Sequence, residues 1–139
     1  MRSVSRAVSY TRIERAQVLF PRTMIRLDVP VASSNVARSA GLHGRRSVAR
    51  DDGMLFVFSG NLIPSMTMTG MLTALDFLFL DGNGRIIGLA PDVQPGVPTV
   101  APDRPVRFVL EVGPGFLRQM GPGVRVGDVL QIRRYHASR

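Results

Sequence analysis

The sequence predicts a mainly β protein: a small antiparallel sandwich or barrel-like domain with one short helix and one helical turn. Three observations carry this expectation. Short runs of β-branched, aromatic and aliphatic residues recur along the chain, and turn residues interrupt them roughly every 8–14 positions, a spacing typical of sandwiches and barrels. The run Met54–Phe58 is apolar without alternation, which predicts a strand covered on both faces. Leu75–Leu80 leads directly into Asp81-Gly82-Asn83-Gly84, a hairpin signal because Gly and Asn tolerate positive φ.

The first elements follow from pattern. Residues 1–15 mix Ser, Arg and small apolar residues with no helical stripe and read as a mobile basic arm. Gln17–Phe20 is a short strand stopped by Pro21. In Thr23–Val29, Ile25, Leu27 and Val29 point one way and Arg26 and Asp28 the other, the alternation of a half-buried strand. Ser33 and Ser34 are N-cap candidates for a short helix with Val36, Ala37 and Ala40 on one face, ended by Gly41 or Gly44. The polar run Arg45–Gly53 is a loop, and Gly53 opens the first core strand.

The second half is read the same way. Ser65–Thr69 alternates Met66 and Met68 against three hydroxyls, which predicts a strand broken by Gly70. The hairpin at Gly82 returns through Arg85–Leu89. Pro91, Pro95, Pro98, Pro102 and Pro105 make the next stretch a long connection without regular structure. Val106–Val112 is a strand closed by Gly113-Pro114-Gly115. Phe116–Met120 makes one helical turn, Gly127-Asp128 a chain turn, and Val129–Arg133 the last strand. The expected organisation is a basic arm over residues 1–15, one β domain over 16–132 and a basic tail over 133–139.

Composition narrows the chemistry. The 139 residues suit one domain with its own core. With no Cys there is no disulfide, thiolate nucleophile or Cys-based metal site. The net charge is +8, and every basic residue is Arg. Residues 1–15 carry Arg2, Arg6, Arg12 and Arg15 against Glu14, and residues 133–139 carry Arg133, Arg134 and Arg139 with no acid. A basic tail can meet nucleic acid or another anionic partner, and it can equally be a solvated end. The first twenty residues lack the apolar run of a signal peptide, and no stretch is long and apolar enough to span a membrane. The expectation is a cytoplasmic protein, or an exported one if translation begins upstream.

Catalytic and metal motifs are missing from the sequence. His43 and His136 have no ligand-spaced partners, the acids are scattered, and neither glycine cluster leads from a strand into a helix as a phosphate loop does. No cofactor or metal is expected. Two carboxylates stand out. Asp76 lies inside an apolar strand, where it is costly unless hydrogen-bonded; the nearest donors by sequence are the 70–74 turn and the hydroxyls of Thr69 and Thr73. Glu111 sits in the Val106–Val112 strand. The pair Asp76 and Glu111 would suit acid–base work if the fold brought them together.

The order of motifs resembles domain-of-unknown-function family 192, DUF192, a family of small bacterial and archaeal proteins. The resemblance rests on Gly41-Leu42, Gly53–Phe58, Met68, Leu75-Asp76, Asp81-Gly82, Leu110-Glu111-Val112, Gly115 and Gly127-Asp128, and covers residues 20–132. It implies a compact, mostly β, barrel-like sandwich and no particular activity. It marks Gly53, Asp76, Gly82, Gly115, Gly127 and Asp128 as structural positions. Where the family pattern reads FWMKNT, this chain reads Met66-Thr67-Met68-Thr69-Gly70-Met71; Ala74 replaces a Pro, and His43 replaces the Met of GLM. The resemblance and the lack of a catalytic set together suggest a non-catalytic module binding a small ligand or a protein partner. Its expected shallow site spans residues 66–76, with Thr67, Met68, Thr69, Asp76 and Glu111 as binding candidates. The alternatives are an enzyme using Asp76 and Glu111, and an accessory protein whose Arg tails touch an anionic partner.

Overall fold

The structure, a computed structural model, describes residues 12–138. It is mainly β, as predicted. Among the described residues, seven strands form one sheet: β1 (Arg12–Phe20), β2 (Ile25–Ala32), β3 (Gly53–Leu62), β4 (Leu75–Leu80), β5 (Ile86–Val93), β6 (Val106–Val112) and β7 (Gln131–Ser138). The helices α1 (Asn35–Ala40) and α2 (Phe116–Met120) lie where the cap and turn signals put them. Ser34 caps α1 by accepting the Ala37 N–H, and Gly41 ends it at φ 48°.

The strand order is β5-β4-β6-β3-β2-β1-β7. The sheet is mixed, because β2 and β3 pair in parallel through Val31–Leu55 and Ala32–Phe56. A parallel pair needs a crossover, and the segment between β2 and β3, which contains α1, supplies it. The sheet curls without closing. Its ends meet where Ile86 N–H donates to Asp128 O (2.8 Å) and Leu130 N–H to Gly84 O (2.8 Å). Gly84 is required there: its φ is 83°, and a Cβ would stand 2.5 Å from Leu130 O.

Curling gives the sheet two apolar faces. The inner face gathers Val18, Phe20, Leu27, Leu55, Leu78 and Leu110 with Phe116 of α2. The outer face of β3, β4 and β6 gathers Phe56, Phe77, Phe79 and Val109 under Leu42, Met68 and Met71. The two-sided burial predicted for Met54–Phe58 is thus met by the curl inside and by loops outside.

Four expectations are corrected. Residues 12–15 and 133–138 are not arm and tail, because Arg12 pairs with Ser138 and the ladder continues to Leu19–Gln131. The polar side chains of β7 hid it from pattern reading: as an edge strand it exposes charge, and Arg134 bonds Glu14 across the pair. Residues 1–11 and 139 lie outside the described residues. Ser65–Thr69 is not a strand; only Met66 forms a bridge, to Val100, and the segment serves as a lid on the outer core. The proline-rich connection begins later than expected, since β5 continues through Pro91 to Val93. An edge strand tolerates a missing N–H.

Candidate functional site

Glu111 is the residue from which a site can be built. Side chains alternate along β6, so Leu110 and Val112 enter the inner core while Val109 and Glu111 face outward. Glu111 stands opposite Met54 on one side and Phe77 on the other. It is only 5% exposed. Among the described residues its carboxyl group has no hydrogen-bond donor and no ion-pair partner, and burial alone pushes it up to about 8. A buried carboxyl in that state keeps its proton at neutral pH.

Glu111 borders a cleft of roughly 490 Å³ between the crossover and the sheet. One wall is α1 and the turn after it, with Arg38, Leu42 and His43. The sheet contributes Phe56 and Phe58 of β3. The opposite wall is the irregular segment after β3, with Pro64, Met66, Thr67 and Met71. The parallel crossover therefore makes the site, because it lays α1 against β3 and leaves a gap over Glu111.

The Arg38 and His43 side chains beside the cleft are already engaged. Arg38 Nη1 donates to Ser33 O (2.9 Å) and Val57 O (2.8 Å), and Nη2 to Asn35 Oδ1 (2.6 Å). Its guanidinium lies 5.1 Å from the Phe58 ring centroid. The His43 ring bridges two carbonyls, Ala40 O at 3.2 Å and Thr69 O at 3.0 Å. His43 thereby ties the end of α1 to the opposite wall. Thr67 Oγ1 accepts the Thr69 N–H at 3.0 Å and shapes that wall locally.

The structure brings together only two of the five binding candidates. Thr67 and Glu111 border the cleft. Met68 is fully buried in the outer core, and Thr69 is exposed and takes part through its carbonyl. Asp76 lies on the inner face: the register sets it opposite Val112, while Phe77 is opposite Glu111. The two carboxylates therefore point to opposite sides of the sheet, which removes the paired acid–base arrangement.

Asp76 has its own partners. Oδ1 accepts the Asp92 N–H and Oδ2 the Leu117 N–H, both at 2.8 Å. Neither donor comes from the 70–74 turn expected from sequence. One oxygen serves a register shift in β5, where Asp92 has φ 52°, and the other the first turn of α2. Asp128 is also fully engaged: the Arg22 guanidinium beside it holds its carboxyl below the usual range, and it accepts the Arg125 N–H.

Sequence reasoning missed Arg38, Phe56 and Phe58 as cleft residues and set His43 aside. The available signal was the departure from the family pattern. Four of the departing positions, His43, Met66, Thr67 and Met71, border this cleft.

Comparison with known proteins places the chain. Residues 18–132 match DUF192, Uncharacterized ACR. The chain belongs to this family. Among solved structures, a proposed transcription regulator from Sinorhizobium meliloti 1021 is 30% identical, with a TM-score of 0.75 over 88% of this chain and 94% of that one. A protein of unknown function from Novosphingobium aromaticivorans DSM 12444 shares the fold at 20% identity, with a TM-score of 0.73 over 86% of this chain and 84% of that one. No curated protein matches. Among the described residues, no helix is long and apolar enough to cross a membrane, and no cluster of three or more His, Asp or Glu stands ready for a metal ion.

Proposed function

We propose that this DUF192 protein is a non-catalytic module that binds a small molecule in the cleft over Glu111. One observation carries the reading: a buried carboxyl group without a partner among the described residues borders a cleft lined in part by Leu42, Phe56, Phe58, Met66 and Met71. Buried polar groups are nearly always hydrogen-bonded, and a ligand is the natural source of the missing bond. The cleft's roughly 490 Å³ falls within the range of small-molecule sites. With Asp76 turned to the other face, no second carboxylate among the described residues borders the cleft beside Glu111.

Amide NMR spectra recorded with a library of small ring compounds test this. Shifts are expected at Leu42, His43, Phe56, Thr67 and Glu111. They should vanish in Ser65→Trp, which fills the cleft mouth from an exposed position. Shifts confined to other surfaces, or none with any compound, would remove the proposal.

The alternative of a basic tail meeting an anionic partner has less support. Arg133 bonds Gln17 and stacks on Tyr135, and Arg134 is paired with Glu14, so both guanidiniums are committed to the sheet edge.

A further inference from the structure

We infer that the cleft selects a neutral ligand carrying a primary carboxamide, a lactam or a similar edge with a donor beside an acceptor, held by two hydrogen bonds to the Glu111 carboxyl group. This rests on the ligand-binding reading above and adds the chemistry of the ligand.

Three observations carry it. First, Glu111 has no hydrogen-bond donor among the described residues and borders the cleft, so a ligand there can reach its carboxyl group. A protonated carboxyl presents an O–H donor next to a C=O acceptor, and an amide edge is its complement. Burial favours that protonated form here at neutral pH. Second, the walls disfavour a cation. Arg38 already borders the cleft, and its guanidinium lies over the Phe58 ring, where a ligand cation would otherwise stack. Third, a ligand carboxylate would accept the Glu111 O–H but set its second oxygen against the Glu111 C=O, with its charge poorly solvated there. Phe56 and Met71 leave room for a flat apolar body above the amide.

The inference predicts a pH dependence. When Glu111 ionises it loses its donor, and the amide's carbonyl then meets a carboxylate. The other charged or titratable groups bordering the cleft are Arg38 and His43; β3, β4 and the segment after β3 present none.

Four probes sharing one ring decide the matter: benzamide, benzamidinium, benzoate and toluene, each titrated by NMR against the full chain at several pH values. Benzamide should bind at pH 6.5 at least about tenfold tighter than the other three, one good hydrogen bond's worth of discrimination. Its affinity should fall about tenfold per pH unit above roughly 8, as the linkage of one proton requires. Glu111→Gln, which keeps a donor beside an acceptor at every pH, should retain benzamide binding and abolish the fall. His43→Asn should leave the fall in place. Preference for benzamidinium, benzoate or toluene in the cleft would overturn the amide inference while leaving the cleft a binding site. Failure of all four probes to shift the cleft would overturn both readings. A high-pH loss that persists in Glu111→Gln, or disappears in His43→Asn, would also overturn the inference.

Discussion

Glu111 and Asp76 show how alternation decides the fate of a carboxylate. Both lie in buried strands, yet among the described residues Asp76 collects two backbone donors and Glu111 collects none. The consequences for stability differ in sign. The folded pKa of Glu111, about 8, lies above its unfolded value of 4.5, so the folded state binds the extra proton between these limits. Its contribution is fully present below about pH 4.5 and is lost as pH rises through 8. Glu111→Gln should therefore be more stable than the parent at pH 8.5 by on the order of 2–4 kcal/mol, and close to it at pH 4.5; urea denaturation at the two pH values measures the difference. A parent whose stability does not change across this window would contradict the burial of an unpartnered acid. Asp76→Ala should instead cost about 1–3 kcal/mol, because it strands the N–H groups of Asp92 and Leu117. Asp76→Asn should cost a comparable amount, since its NH2 replaces one of the two accepting oxygens and sets a donor against a backbone N–H. Chemical denaturation that found both variants as stable as the parent would remove the clamp role.

At the scale of elements, local chemistry was legible and long-range pairing was not. A serine cap at Ser33 or Ser34, a glycine stop at Gly41 or Gly44 and the strand Val106–Val112 follow from residue type, and the structure shows the strand, with Ser34 as the cap and Gly41 as the stop. The parallel β2–β3 pair does not, because nothing local says which strand a crossover returns to. That gap concealed the site, since the crossover creates the cleft. The hairpin after β4 illustrates the same limit. Sequence marks Gly82, but the constraint falls on Gly84, through the contact with Leu130 that local pattern cannot show. Gly82→Ala should be nearly neutral, as a Cβ there would make only an ordinary contact, 3.8 Å from Asn61 Oδ1. Gly84→Ala should cost about 2 kcal/mol or more, from its positive φ and the contact together. Thermal denaturation of the pair separates the two positions, and equal behaviour would contradict the near-closure of the sheet.

For the molecule as a whole, the curled sheet depends on both of its ends. Charge patterning makes residues 133–138 look like a solvated tail, whereas the ladder to β1 makes them part of the fold. Stopping the chain after Ile132 would leave Val18–Ile132 and Leu19–Gln131 as the only pairs between β1 and β7. It should lower the melting temperature by roughly 5 °C or more, the scale of a loss of about 1 kcal/mol in a domain of this size. An unchanged melting temperature would return β7 to the status of a tail. Two-sided burial of the central strands, legible in Met54–Phe58, creates the outer core, and the crossover leaves one gap in it above Glu111. Ligand binding in the cleft depends on the state of that carboxyl group. The chain contains two glutamates, Glu14 and Glu111. Carboxyl-carbon NMR of glutamate-labelled protein across pH 3–10 would thus show two titrations. Glu14, hydrogen-bonded by Arg134, should titrate below the ordinary glutamate value, and Glu111 near 8. A Glu111 signal that titrates at or below about 4.5 would mean that the carboxyl is solvated or paired, and would contradict the account at its centre.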